Sequence, residues 1–402
     1  MYAGIIVSFL FVGLLFILQY LRIRYLHGIT IHRTIPTIHR LFSPPNSTAQ
    51  DLLAARAVPN TRLILAFALT NTFVSDNIDI HATFVGSATL LLKAATERGW
   101  PHFQQVAIDA VDAALLGGGQ LSFDVLVQDV TMRVALIGLL GVDTAISELD
   151  SRDICMVATL ITTLWSLSKK PDHIPPDLLL LLNRHLRRLI PDEQAYPNPL
   201  DYLIPVWETL WRVVAVTVAY ADKHCYGDKV FAELQRLPTI TQFRAFGDSL
   251  PSVEWFITEA MRLHPPSKHI ARSFVRPSAS TSTLPLFFQT LLTKAIGPLV
   301  HRECADIETV LRSEDIWGAD ADKFDPLRYR PSRVTQEQER IKWLAFGHGR
   351  YRCVAAAWAP MAAGIISAAI LDRLKVGSDL RLVEGDCVGA REGWRGWYLS
   401  RN

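Results

Sequence analysis

The sequence predicts a mainly α protein with a smaller β-region, preceded by an N-terminal transmembrane helix. Three observations carry that expectation. From Met1 to Leu21 there is no charged residue and the stretch is dense in Ile, Leu, Val and Phe, long enough to cross a hydrocarbon core as a helix. Through most of the remainder, apolar residues recur at i, i+3 and i+4, the spacing of an amphipathic helix. Only the last stretch, residues 374–402, reads as short strands and turns, punctuated by Gly377, Gly385, Gly389, Gly393 and Gly396.

With 402 residues, 50% of them hydrophobic and 20% charged, the chain can bury a large core. A net charge of +2, with no basic run interleaved with aromatics, argues against a nucleic-acid partner. Cys155, Cys225, Cys304, Cys353 and Cys387 are scattered and lack CxxC spacing, which argues against a disulfide framework or a structural zinc site and for a reducing compartment. Arg22 and Arg24 follow the apolar run, so a retained anchor with its body on the cytoplasmic side is favoured over a cleaved signal peptide. The chain therefore divides into a membrane anchor (1–24), a linker (25–60) rich in His and Pro, and a globular body (61–402).

Along that body, candidate helices run over Asp51 to Arg56, Thr61 to Asn71, Phe84 to Arg98, Phe103 to Leu116, Phe123 to Leu140 and Ile154 to Ser168. A proline-bounded amphipathic helix with Arg184, His185, Arg187 and Arg188 follows. Leu200 to Tyr220 is apolar on nearly every side, so as a helix it is buried, and Glu208, Thr209 and Arg212 are costly there without partners. Pro205 either opens that helix or kinks it, freeing backbone groups next to Glu208 and Thr209. Arg212 pairing with Glu208 one turn away is the plainer account of both charges. After a polar connector with a short helix around Lys229 to Leu237, Val253 to His264 reads as a helix stopped by Pro265 and Pro266. Glu259 and Arg262 share one face of it, a spacing that on its own signals a surface ion pair. Lys268 to Arg276 looks extended, Ser278 to Thr283 is a Ser/Thr-rich loop, and Asp315 to Tyr329 is turn-rich. No periodicity assigns residues 284–311.

Near the C-terminus stands Phe346-Gly-His-Gly-Arg-Tyr-Arg-Cys353, followed by an Ala-rich run with helical propensity. The glycines allow a tight turn, which places the cysteine where a loop becomes a helix. The orphan N–H groups of that helix start, with Arg350 and Arg352, favour a thiolate, which is a metal ligand. A buried cysteine beside a glycine turn explains the same residues.

Four pieces in this order resemble the cytochrome P450 family of haem-thiolate monooxygenases. FGHGRYRC is similar to its haem-binding loop, with Phe346, Gly349 and Cys353 on the defining positions. ITEAMRLHPP resembles the Glu-x-x-Arg helix, matching Glu259 and Arg262. DADKFDPLRY resembles the segment whose arginine, here Arg328, joins those two in a buried network that locks the haem loop. IPVWETLWR is similar to the central helix that carries an acid and an alcohol, here Glu208 and Thr209. The resemblance implies a P450-like fold for 61–402 with an abbreviated N-terminal part, and haem b ligated at iron by Cys353. It further implies cofactor contacts from Phe346, Gly349, Arg350 and Arg272, and catalytic roles for Thr209 and Glu208 in holding iron-bound oxygen and relaying protons. Departures stand at Pro205 and Val206, where small residues are usual, at Tyr351 two before the cysteine, at Ala355, and in the lack of a Trp-x-x-x-Arg pattern early on.

The anchor and the ETLWR and DIWGADADKFDP segments are similar to those of microsomal enzymes of filamentous fungi that oxidise lipophilic natural products. That likeness implies a single-pass endoplasmic reticulum protein acting on a lipophilic small molecule with O2, in secondary-metabolite (terpenoid, polyketide or alkaloid) biosynthesis. Its electrons come from NADPH-cytochrome P450 reductase docked near Arg350 and Arg352. The alternative is a haem-binding but catalytically silent relative serving as scaffold or carrier, to which the departures point.

Overall fold

The computed structural model describes residues 29–116, 121–170, 174–275, 300–375, 379–389, 391 and 393–401. The expected transmembrane helix over 1–24 and the Ser/Thr-rich loop at 278–283 lie outside the described residues. Strands β1 (Ile29–His32), β2 (Leu121–Ser122), β3 (His269–Val275), β4 (Val300–Asp306), β5 (Leu380–Val383) and β6 (Tyr398–Arg401) form two three-stranded sheets, ordered β1-β4-β3 and β2-β6-β5. β1 runs parallel to β4, and the remaining pairs are antiparallel.

The stretch expected as a linker is regular structure from Ile29 onward. After β1 come α1 (Ile35–Phe42) and α2 (Ala49–Phe67). Its prolines are positional: Pro36 occupies the first turn of α1, where a missing N–H costs nothing, and Pro44 and Pro45 fill the corner before α2. Thr48 and Asp51 close a reciprocal capping box at the start of α2. The two helices expected at Asp51 to Arg56 and Thr61 to Asn71 are thus one element, which continues through Pro59.

Next come α3 (Ile78–Arg98), α4 (Trp100–Leu115), α5 (Phe123–Arg133), α6 (Ser151–Leu167) and α7 (Pro176–Leu189). The helix expected over Phe123 to Leu140 is α-helical only to Arg133 and widens to a π-helix over Val134–Leu139. Buried Arg133 lies at that transition, with Nη1 donating to the carbonyls of Ile146 (2.9 Å) and Leu149 (3.1 Å) and Nη2 to Ser151 Oγ (2.7 Å).

The centre of the molecule is α8 (Leu200–Lys223), buried along nearly all its length as its composition requires. It is long and apolar enough to cross a membrane, but 78% of its most apolar window is buried inside the protein. Trp207 and Trp211 are fully enclosed, and each fully buried aliphatic side chain around them contributes roughly 1.5–3 kcal/mol. Pro205 leaves the helix unbroken. The carbonyl it deprives of an N–H belongs to Asp201, one turn upstream of Pro205 and two turns upstream of Glu208, and Asn71 Nδ2 satisfies it at 2.8 Å. The freed group thus lies away from Thr209, contrary to the expectation for a kink.

Beyond α9 (Gly227–Arg236) and α10 (Ile240–Arg244), α11 (Val253–Leu263) packs against α8, with Ser252 capping its first turn. The region without periodicity supplies β4 and α12 (Ile307–Leu311). Short helices α13 (Glu314–Trp317) and α14 (Gln336–Ile341) follow. The helix after the cysteine, α15 (Ala359–Leu374), packs on α4, α8 and α9.

Candidate functional site

The cysteine loop is closed on itself and docked on the N-terminal helices. The Cys353 amide donates to the Phe346 carbonyl at 2.9 Å, and Gly347 (φ +80°) and Gly349 (φ +74°) make the turn between them. A Cβ on Gly349 would stand 2.2 Å from Ser43 Oγ at the end of α1, so a side chain here would strain the backbone and displace the serine hydroxyl. Against the same helix, His348 stacks on His39 at 3.7 Å. Arg350, in the loop's short 3-10 turn, is exposed. The Cys353 residue is solvent-accessible, yet surrounding protein pushes its thiol pKa up, against smaller downward effects of the Ala355 amide and Arg352. Such a thiol lies in the wall of a recess. Because α15 begins only at Ala359, the cysteine is not at a helix start, and the expected lowering from that source is absent.

Beside this loop stands a group of cations that pairs with no carboxylate among the described residues. Arg56, in the apolar face of α2, donates through Nη2 to the Thr72 carbonyl at 2.7 Å and to Thr72 Oγ1, and its Nε is buried without a partner. Its guanidinium lies 5.1 Å from the Tyr351 ring centre. Tyr351 donates to the Ala49 carbonyl at 2.8 Å and meets His81 edge-on at 4.7 Å. Arg272 on β3 lies 5.2 Å from the Phe42 ring centre and donates to the Ala271 carbonyl. Burial lowers the pKa of Arg56 to about 10, and burial with repulsion from Arg56 lowers that of Arg272 to about 10. The His81 pKa is lowered by burial, Arg56 and Arg350.

Glu259, Arg262 and Arg328 come together behind the loop. Glu259, fully buried, accepts from Arg262 Nε (2.7 Å) and Nη2 (2.8 Å), Arg328 Nε (3.4 Å), the Asp325 amide (3.0 Å) and Tyr329 Oη (3.1 Å). Arg262 Nη1 donates to the carbonyls of Leu311 (3.0 Å) and Ala321 (2.6 Å). Arg328 donates to the Trp317 carbonyl (3.0 Å) and Asp320 Oδ1 (3.0 Å). A surface pair this is not: both oxygens of one buried carboxylate are taken up by two guanidiniums, a backbone amide and a tyrosine hydroxyl.

On α8, buried Glu208 places Oε1 against Arg391 (Nε at 2.8 Å, Nη2 closer still) and Arg212 Nη2 (3.4 Å), while Oε2 has no partner. Arg212 also donates to the carbonyls of Glu208 and Pro266, each at 2.9 Å. The Thr209 hydroxyl has only long bonds, 3.4 Å each, to the carbonyls of Pro205 and Val206. Surface clefts of about 450 and 230 Å3, lined by residues such as Phe246, Trp255 and Val334, include neither Cys353 nor these cations. Side-chain chemistry, not cleft size, marks the site.

Sequence reasoning missed Arg56, His81 and Arg391. Arg56 gave a signal, a lone cation in the apolar run Leu-Leu-Ala-Ala-Arg-Ala-Val, whereas nothing local to Arg391 points to a carboxylate on α8.

A cysteine in a glycine turn, a basic group beside it that pairs with no carboxylate among the described residues, and a buried Glu-Arg-Arg network are together the arrangement expected of a haem-thiolate protein. A family model described as Cytochrome P450 matches residues 305–381, the stretch that holds Arg328 and Cys353, so that part of the chain is similar to the family's haem-loop region. Among curated proteins none matches the sequence. The fold is similar to that of testerone-bound CYP154C4 from Streptomyces sp. ATCC 11861, at 17% identity over 92% of this chain and 89% of that one, TM-score 0.53. It is also similar to CYP154A1 from Streptomyces coelicolor (15% identity, 93% and 92% covered, TM-score 0.56). A 6-coordinated cytochrome P450 from Thermus thermophilus shares it too (14% identity, 92% and 91% covered, TM-score 0.59).

The family implies haem with a cysteine thiolate on iron, and the residues fit that group. Cys353 offers an accessible thiol, and the orphaned Nε of Arg56 with carboxylate-free Arg272 suits the anionic propionates of haem. Arg56→Gln is expected to weaken haem binding by about tenfold, read by transfer of haem to apomyoglobin. Transfer at the parental rate would remove Arg56 from the cradle.

Proposed function

We propose that the protein is a membrane-anchored haem-thiolate monooxygenase that inserts one oxygen atom from O2 into a lipophilic small molecule. The carrying observation is the recessed Cys353 thiol beside the carboxylate-free pair Arg56 and Arg272. Haem, when bound, supplies the activation of O2 at its iron. Cys353 gives it an electron-donating ligand, Arg56 and Arg272 orient it by its propionates, and the Glu259, Arg262 and Arg328 network holds the chain leading into the loop. Thr209, whose hydroxyl is only loosely tied to its own helix, is free to turn toward a ligand, and Glu208 Oε2 is the carboxylate oxygen open to exchange a proton.

The charge-free stretch Met1 to Leu21 followed by Arg22 and Arg24 supports a single-pass anchor in the endoplasmic reticulum, with residues 61–402 as the catalytic body. In that setting electrons come from NADPH-cytochrome P450 reductase, and the likeness of the ETLWR and DIWGADADKFDP segments to those of fungal microsomal enzymes is the ground for a role in secondary-metabolite biosynthesis. A neighbour of this fold is solved with testerone, in keeping with a lipophilic substrate. A catalytically silent haem carrier is the second reading, favoured by the ion pairs that hold Glu208 Oε1.

Reductase, NADPH and isotopically labelled O2, supplied with a lipophilic extract, separate the two: the monooxygenase labels an organic product and the carrier labels none. Thr209→Ala is expected to lower labelled product per NADPH by about tenfold or more with haem content unchanged. A variant coupled as tightly as the parent would remove Thr209 from proton delivery.

A further inference from the structure

A second basic group lies beside Glu208, and haem binding does not account for it. Arg391 lies 4.9 Å from the ring centre of Trp165 on α6, and Arg62 of α2 lies 4.9 Å from the same ring. Arg62 also bonds Ser168 Oγ, and Arg212 completes the group through its shared carboxylate. Four segments far apart in sequence thus gather Arg62 and Arg391 on the Trp165 ring and Arg391 and Arg212 on Glu208, so three guanidiniums share one carboxylate's worth of negative charge among the described residues. They repel one another: burial and Arg391 lower the Arg62 pKa, and burial with Arg391 outweighs Glu208 to bring Arg212 to about 10. Partly buried like charges are costly unless an anion joins them.

The haem propionates are already matched by Arg56 and Arg272. Arg56 and Arg62 share α2 but are six residues apart, about 240° around a helix of 3.6 residues per turn, so they face different directions. On α6, one turn before Trp165, Thr162 Oγ1 is buried without a partner, and residues three apart share a helix face. The group therefore offers guanidinium forks suited to a planar carboxylate and, next to them, an unused hydroxyl.

We propose that Arg62 and Arg391, with Arg212 behind them, receive the carboxylate of an apolar acid, so that the oxidised molecule is a lipophilic carboxylic acid. This rests on the reading of the Glu208-Thr209 side as the oxidising side. Glu208 holds Arg391 and Arg212 in place, and Trp165 gives the acid's first carbons an apolar wall between the two outer arginines.

Isothermal calorimetry on the holoprotein with dodecanoate and methyl dodecanoate tests the proposal. The acid is expected to bind at least about tenfold more tightly than the ester, as a charge-assisted pair to arginine requires. Arg62→Gln, which leaves every bond to Glu208 intact, is expected to abolish that preference and leave ester binding unchanged. Should that variant fail to fold, Arg391→Gln takes its place with the same expectation. Equal affinity for acid and ester, no binding of dodecanoate, or equal weakening of both ligands by the substitution overturns the proposal. A ferrous carbon monoxide spectrum of each sample keeps the two readings apart: a missing thiolate band with the acid preference intact removes the haem-thiolate reading alone.

Discussion

Glu259→Ala is expected to yield no soluble haem-containing protein. The carboxylate accepts hydrogen bonds from Arg262, Arg328, Tyr329 and the Asp325 amide, in a place with no access to water. Removing it strands two guanidiniums whose remaining partners are mostly carbonyls, and breaking a buried pair from one side costs roughly 3–5 kcal/mol. Against a total stability of roughly 5–15 kcal/mol that is a large share. The consequence also spreads along the chain. Arg262 binds the carbonyls of Leu311, Ala321 and Lys323, and Arg328 those of Trp317 and Asp320, so the turn-rich segment ahead of the cysteine loop loses its anchor. Yield, haem content and thermal midpoint of Glu259→Ala and Glu259→Gln measure this. Soluble holoprotein at the parental yield would contradict the locking role.

Much of this arrangement was legible in the sequence because it is local or because its order along the chain is distinctive. Glu259 and Arg262 share a helix face by spacing alone, and a tryptophan-rich helix that is apolar all round has to be central. The glycines around His348 announced a turn before the cysteine. What stayed hidden depends on pairs far apart in sequence. Pro-rich residues 29–60 read as a linker because the partner of β1 is β4, and because prolines at helix starts look the same as prolines in loops. Pro205 reads as opening or kinking α8, yet the helix runs on through it, because the carbonyl left without its N–H, at Asp201, is met by Asn71, which no local pattern connects to it. Tyr351 looked like a lost contact in the loop. It instead holds Arg56 and the Ala49 carbonyl, transferring the basic group onto α2. The π-helix at Val134–Leu139 has no signature in hydrophobic spacing, since one extra residue in a turn barely alters an apolar run.

Cys353→Ala is expected to have the second large effect, the complete loss of thiolate ligation. The loop itself should survive, because the bond that closes it runs from the Cys353 amide to the Phe346 carbonyl and the turn is set by Gly347 and Gly349, none of which uses the thiol. Folding and ligation are therefore separable at this residue, unlike at Glu259. Haem is expected to enter the variant through Arg56 and Arg272, with an altered electronic character for want of sulfur on iron. Circular dichroism and thermal midpoint near the parental values are expected alongside the spectral change.

The ferrous carbon monoxide spectrum of the purified holoprotein tests the central assignment most directly. Thiolate ligation by Cys353 predicts a strongly red-shifted Soret band in the parent and its disappearance in Cys353→Ala. A parent without that band, or a Cys353→Ala protein that retains it, would contradict the account.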